Sequence, residues 1–315
     1  MLIDDIDFAD LYRKQLQLAN RTEKKPEHWD KRAEKMAENC ASLTDSYLLQ
    51  LLGKIDLKGA ESLFDMGCGP GTVSLALAKK MPIIYGVDYS QGMLSVAARR
   101  AAQMNARHVQ WVQRAWEEHW DDLPQCDIAV ASRSTLVADM RQAMTKLNNQ
   151  ARLRVYTTHL VSSSFVSPTI QRALGREVIE LPNYIYALNV LYQMGIHAHV
   201  DFIRGPNCQQ DNSTWTRFLE NVRWSMGELS ADDVERLETW YQQQDHARLP
   251  PPAVTGRLSG GTACRGRRCD DLLFAGANRR AAAGRYSGRR SDYPRVGDRR
   301  TAGHYGVLPS PGRMR

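Results

Sequence analysis

A glycine-rich bend set between an apolar run and a helix-forming run constrains this chain more than any other feature. Residues Asp65 to Gly71 read D-M-G-C-G-P-G. The run before it, Ser62 to Phe64, is short and apolar, as a buried strand would be, and Val73 to Lys80 has the composition of a helix. Glycine at 67, 69 and 71 permits a tight turn and lets backbone N–H groups approach a ligand, near the positive end of the following helix. A chain of this pattern folds as strand, turn and helix, with something polar or anionic on the turn. Cys68 lies inside it.

The next apolar run, Ile83 to Val87, ends at Asp88, which lies 21 residues after Gly67. That is where a β-α-β unit delivers a carboxylate to the hydroxyls of a ribose. The dinucleotide fingerprint also requires glycine at the sixth position counted from Gly67, which here is Thr72. An adenosyl ligand without a pyrophosphate therefore suits the turn better than a nicotinamide dinucleotide.

Strand-like runs recur at His108 to Gln113, Cys126 to Ala131 and Arg152 to Thr158. Between them, Gln91 to Met104 places Met93, Leu94, Ala97 and Ala101 on one helical face, and Leu136 to Leu147 does the same with Leu136, Met140, Met144 and Leu147. Both stripes read as core. The alternation predicts an α/β fold with a doubly wound, mostly parallel sheet. Ligands bind such sheets at the carboxyl ends of the strands, where Asp65, Asp88, Ala115 and Ser132 fall.

On these residues the chain resembles the class I S-adenosylmethionine-dependent methyltransferases of small-molecule type. Their first motif, acidic-x-G-x-G-x-G, is matched in full by Asp65, Gly67, Gly69 and Gly71. The segment His28 to Glu34 also looks like the helix that precedes the nucleotide domain in that family. The resemblance implies a Rossmann-like fold and S-adenosylmethionine as cofactor. It implies further that Asp65 and the glycine turn hold the methionine end, that Asp88 accepts both ribose hydroxyls, and that Tyr89 and Met93 flank the adenosine. Cys68, Ala115 and Ser132 join the cofactor-binding candidates by position. The chain departs from the family after the third strand, where R-A-W-E-E (Arg114 to Glu118) lacks the aspartate that many relatives offer the adenine amino group. Trp116 either stacks on the adenine or packs its ring on the sheet edge.

The acceptor side is less defined. Ser132, Arg133 and Ser134 follow the fourth strand, and the planar fork of Arg133 suits a substrate carboxylate or phosphate, or else a neighbouring surface acid. Displacement at a sulfonium methyl depends chiefly on alignment, so a general base is optional. Glu117, His119 and His159 are the weak candidates for one, each with a plain structural alternative. Val161 to Ile203 reads as an insertion covering the site, with a lid at 161–196, and Tyr184 and Tyr186 form an aromatic wall for the substrate or pack their helix on the sheet. His197 and His199 share one strand face without a third ligand, so no metal is expected.

Composition divides the 315 residues into an N-terminal helical cap (1–58), the cofactor-binding domain (59–246) and a tail (247–315). The tail carries fifteen arginines, four aspartates and no lysine, a net of +11 against +7 for the whole chain, which leaves −4 for residues 1–246. With eleven of the 22 glycines and six of the 13 prolines, it is expected to be disordered. It reads either as an RNA-binding segment or as sequence that has left its frame near residue 246, and the abrupt loss of lysine favours the second. The family usually closes its sheet with an antiparallel strand after the last helix; Asp270 to Gly276 is the nearest match, and a poor one.

The mildly acidic main domain has no general nucleic-acid footprint, so a small-molecule methyl acceptor is the expected partner. The alternatives are an NAD(P)-dependent oxidoreductase and an RNA-binding protein acting through the tail. Six cysteines without a C-x-x-C pair, an acidic start and no apolar run of membrane-spanning length place the expected site of action in the cytoplasm.

Overall fold

Residues 2–19, 24–161, 168–204, 212–244 and 269–277 are described by the computed structural model, and the unit of residues 282–315 lies outside them. Seven strands form one sheet: β1 (Ser62–Met66), β2 (Ile83–Asp88), β3 (Val109–Gln113), β4 (Cys126–Ala131), β5 (Ala151–Leu160), β6 (His199–Arg204) and β7 (Cys269–Ala277), in the order β3-β2-β1-β4-β5-β7-β6. The first five are mutually parallel. β7 runs antiparallel between β5 and β6.

The central strands are apolar on both sides because both faces are covered. Along β1, Phe64 and Met66 join one hydrophobic cluster with Trp120, Met144 and Leu147, whereas Leu63 joins the other with Leu51, Leu75 and Ile128. That alternation is the strand's own two-residue period. The doubly wound, mostly parallel sheet expected from the run spacing is the one observed.

Helix boundaries follow the caps rather than the apolar stripes. The stripe beginning at Leu136 becomes a helix only at Met140, because the Asp139 carboxylate accepts the Gln142 N–H at 2.9 Å and starts the helix there (Met140–Gln150). Leu136 to Ala138 are thereby left ahead of it. The single helix read at His28 to Glu34 is two, Pro26–Asp30 and Ala33–Cys40, broken at Lys31 and Arg32. Further on, Trp215–Met226 and Ala231–Gln242 are two helices separated by Gly227 at φ +86°, with Ser230 capping the second. These two pack with Pro168–Ala173 around Phe218, Val222 and Leu237.

Two expectations need correction. Residues 269–277 of the tail read as disordered form a strand, at the run Asp270 to Gly276 named as the nearest match to a closing strand, and pair with β5 from Arg154 opposite Ala277 to Leu160 opposite Asp271. The apolar run Leu272 to Ala275 meets two strands whose backbone groups would otherwise lack partners. The rest of the tail, on which the RNA and frame readings fall, lies outside the described residues. Second, within the 161–196 insertion read as a lid, the helix Tyr184–Gln193 packs one face into the core. In the helix Tyr184–Gln193, Ala187, Val190 and Leu191 are buried beside Tyr12 of the helix Phe8–Leu18.

Candidate functional site

The carboxyl ends of β1, β2 and β4 open into a cavity of about 640 Å³. β1 delivers Asp65 and turns back at once, with Gly67, Gly69 and Gly71 at φ +69°, +54° and +77°. Each glycine is required for a different reason. A Cβ on Gly67 would lie 2.2 Å from that of Ser134, and one on Gly71 would lie 2.7 Å from the Trp111 ring, which also packs under Gly86. A Cβ on Gly69 would meet no protein atom within 4 Å and would project into the cavity. A bare spot of this kind lets a ligand approach the backbone closely.

Both acids face this space from buried positions. The Asp65 carboxylate accepts the Ser74 N–H at 3.1 Å and hydroxyl at 2.6 Å, yet burial pushes its pKa up to about 6. Asp88 accepts the Gly69 N–H at 2.8 Å and the Ser90 N–H at 2.9 Å, and burial raises its pKa as well. Two carboxylates taken out of water within one cavity call for a ligand that brings a cation and hydroxyl donors. S-adenosylmethionine brings both. Every cofactor candidate read from the sequence lines the cavity except Gly71, which sits behind the turn against Trp111. Trp116 lines the cavity and packs on Trp120 at 5.3 Å between centroids.

Several contributors were not visible in the sequence. Asp30, sixty residues before Ser90, accepts the Ser90 hydroxyl at 2.6 Å and the Gly92 N–H at 2.8 Å, fixing the start of the helix Gln91–Gln103. Tyr47 lines the cavity with its hydroxyl 2.8 Å from that of Ser132 and 3.1 Å from that of Thr158. Its ring carries the Arg133 guanidinium at 3.5 Å. Leu16, Trp29 and Met36 complete the wall from the N-terminal helices, where the 161–196 insertion was expected to do so.

The base candidates separate. Glu117 lines the cavity. His119 is exposed and its carbonyl accepts a hydrogen bond from Arg114 at 2.6 Å; it does not reach the site. His159 is buried in the core between the hydroxyls of Thr135 (3.2 Å) and Thr157 (3.0 Å), and burial pushes its pKa down to about 3. It is a neutral packing group, off the cavity lining. Tyr184 and Tyr186 also pack instead of walling a substrate: Tyr184 meets Phe202 and Tyr186 meets Tyr12, both edge to face at 6.3 Å. No group of three or more potential metal ligands is gathered among the described residues. Nor is any helix among them long and apolar enough to cross a membrane.

A parallel sheet with a glycine turn and an acid at each of two strand ends defines a nucleoside-binding α/β protein, and comparison with known proteins narrows the class. The chain belongs to the class I S-adenosylmethionine-dependent methyltransferases, and S-adenosylmethionine is its cofactor. Residues 63–153 match the family model described as a methyltransferase domain. An uncharacterized protein of Haemophilus influenzae is 38% identical over 250 residues, which cover 79% of this chain and 93% of that one. The trans-aconitate 2-methyltransferase of Pseudomonas paraeruginosa is 35% identical over 95 residues, 30% of this chain and 31% of that one. Among solved structures, a phosphoethanolamine N-methyltransferase of Haemonchus contortus, in complex with phosphomonomethylethanolamine and S-adenosylhomocysteine, is 15% identical. It covers 86% of this chain and 60% of that one, with a TM-score of 0.48. The oxidoreductase alternative falls with this family membership.

Proposed function

We propose that the protein methylates a small-molecule acceptor by in-line displacement in the cavity between Asp65, Asp88 and the end of β4. The observation that carries this reading is the open face of Gly69, flanked by two buried carboxylates. When bound, S-adenosylmethionine supplies a methyl group that forms its new bond with an acceptor lone pair as the old bond's electrons return to sulfur.

This chain's own residues then hold and align. Asp65 attracts the methionine ammonium, Asp88 receives the ribose hydroxyls, and Tyr89, Met93 and Trp116 bound the adenine. Met36, Leu136 and Val137 make the wall apolar and exclude water. Where the acceptor atom carries a proton, Glu117 is the carboxylate on the cavity able to take it. A small acceptor agrees with the net charge of −4 on residues 1–246. It also agrees with the relatives named for trans-aconitate and cobalt-precorrin-6B.

The test is calorimetric titration of the full chain with S-adenosylhomocysteine. Binding is expected, weakened tenfold or more in Asp88→Ala. It should also strengthen as pH rises through about 6, since below that value the Asp65 carboxyl takes up a proton and no longer attracts the ligand's ammonium. A wild-type chain that takes up none of the ligand would end this reading.

A further inference from the structure

We infer that Arg100 is a positioning residue of the cofactor site: its guanidinium bridges the glycine turn and the end of the helix Ala33–Cys40, and so holds the turn in the shape that receives the amino-acid portion of S-adenosylmethionine. The inference rests on the function proposed above. Arg100 lies in the last turn of the helix Gln91–Gln103 and is not among the residues lining the cavity. What it does for the cofactor passes through other residues.

The turn has a gap in its own hydrogen bonding. The Gly67 and Cys68 N–H groups donate to the Val87 carbonyl at 2.7 and 3.0 Å, and the Gly71 N–H donates to the Cys68 carbonyl at 3.0 Å. Among the described residues no backbone N–H reaches the Pro70 carbonyl. A helix running on from Pro70 would send it the Ser74 N–H, four residues later. Asp65 takes that N–H instead, at 3.1 Å. A buried carbonyl left without a donor costs free energy, and Pro70 is buried. Arg100 Nη1 supplies the donor. The guanidinium thus replaces a hydrogen bond that Asp65, the acid proposed to attract the ligand's ammonium, has drawn away.

The same fork holds a second element. Arg100 Nη2 donates to the carbonyl of Ala41, which caps the helix Ala33–Cys40 at the end where carbonyls lack intrahelical partners and a cation is favoured. That helix contributes Met36 to the cavity wall. Ala97, one turn before Arg100 and on the same helical face, lies against the turn as well: a Cβ on Gly71 would come 3.2 Å from that of Ala97. Arg100 is half-buried there, and burial pulls its pKa down with no acid among the described residues to raise it. A guanidinium withdrawn from water without a carboxylate is costly, and the two carbonyls it serves offset that cost. Its neighbour Arg99 makes the contrast, being exposed and paired with Glu34 near the start of the same helix Ala33–Cys40.

The experiment is calorimetry on the full chain with two probes: S-adenosylhomocysteine, and 5′-methylthioadenosine, which has the nucleoside and lacks the amino-acid portion. Arg100→Met should weaken the first tenfold or more and the second less than threefold. Arg100→Lys, in which one ammonium must serve both carbonyls, should fall between wild type and Arg100→Met for the first probe. Arg99→Met removes an exposed ion pair between the same two helices and should leave both affinities within twofold. The inference is overturned if Arg100→Met binds S-adenosylhomocysteine as the wild type does. It is overturned equally if that variant weakens both probes by the same factor, which is what a merely structural role would produce. Should Arg100→Met fail to fold, Arg100→Lys decides by the same comparison: a threefold or greater loss confined to S-adenosylhomocysteine supports the inference, and equal factors overturn it. Failure of the wild type to bind S-adenosylhomocysteine at all would instead remove the function on which the inference stands.

Discussion

Gly69 and Gly71 stand two residues apart in the same turn, and a methyl group added to each would have opposite consequences. At Gly69 it enters open cavity, so Gly69→Ala should fold, with a loss of about 1 kcal/mol for the left-handed backbone, while affinity for S-adenosylhomocysteine falls tenfold or more. At Gly71 it meets the Trp111 ring at 2.7 Å, so Gly71→Ala should melt lower than Gly69→Ala, because strain and displaced packing add. Thermal melting and calorimetry on the pair separate binding from folding; equal melting with equal binding would contradict the assignment. The turn and the place of Asp88 at the end of β2 could be read from the sequence because both depend on local spacing. Tyr47 could not, since it reaches Ser132 across 85 positions and Thr158 across 111, and no periodicity encodes such contacts. His159 misled for a related reason: it follows the strand-end pattern of a catalytic residue, and only the hydroxyls of Thr135 and Thr157 show it to be packing.

At the scale of elements, caps decide where helices begin and thereby what the cavity is made of. Asp30 reaches from the helix Pro26–Asp30 to the start of Gln91–Gln103, so it joins the N-terminal segment to the element that follows Asp88. Asp30→Ala should cost about 1 kcal/mol, the usual worth of a helix cap. It should also weaken S-adenosylhomocysteine binding severalfold, because Ser90, which Asp30 positions, donates its N–H to Asp88. A lower melting temperature with unchanged affinity would show that the cap serves the fold alone. The existence of each central strand and of the helix after β2 was readable from apolar period. Starts were not: the stripe at Leu136 has helical spacing, and Asp139 overrides it from within the chain itself.

For the molecule as a whole, the sheet depends on a strand that arrives late. β7 lies between β5 and β6, so a chain ending at Gln244 would leave two strands without a partner along one side. Such a chain should melt below the full-length protein and aggregate sooner on heating, as open strand edges do. Equal melting of the two would mean that the strand is not docked in solution. Composition obscured it: the run Asp270 to Gly276 is the nearest match to a closing strand in the tail, but a nine-residue strand is embedded in 69 residues rich in arginine, glycine and proline, and local pattern weighs the majority.

The cavity also draws on two different stretches of chain. Asp65 to Met93 line it from within the stretch matched by the methyltransferase family model, whereas Leu16, Trp29, Met36 and Tyr47 precede that stretch entirely. The cavity wall is thus built from two portions of the polypeptide, only one of which the family model describes. Changes among the first fifty residues could therefore reshape the cavity while leaving the glycine turn and its two acids as they are.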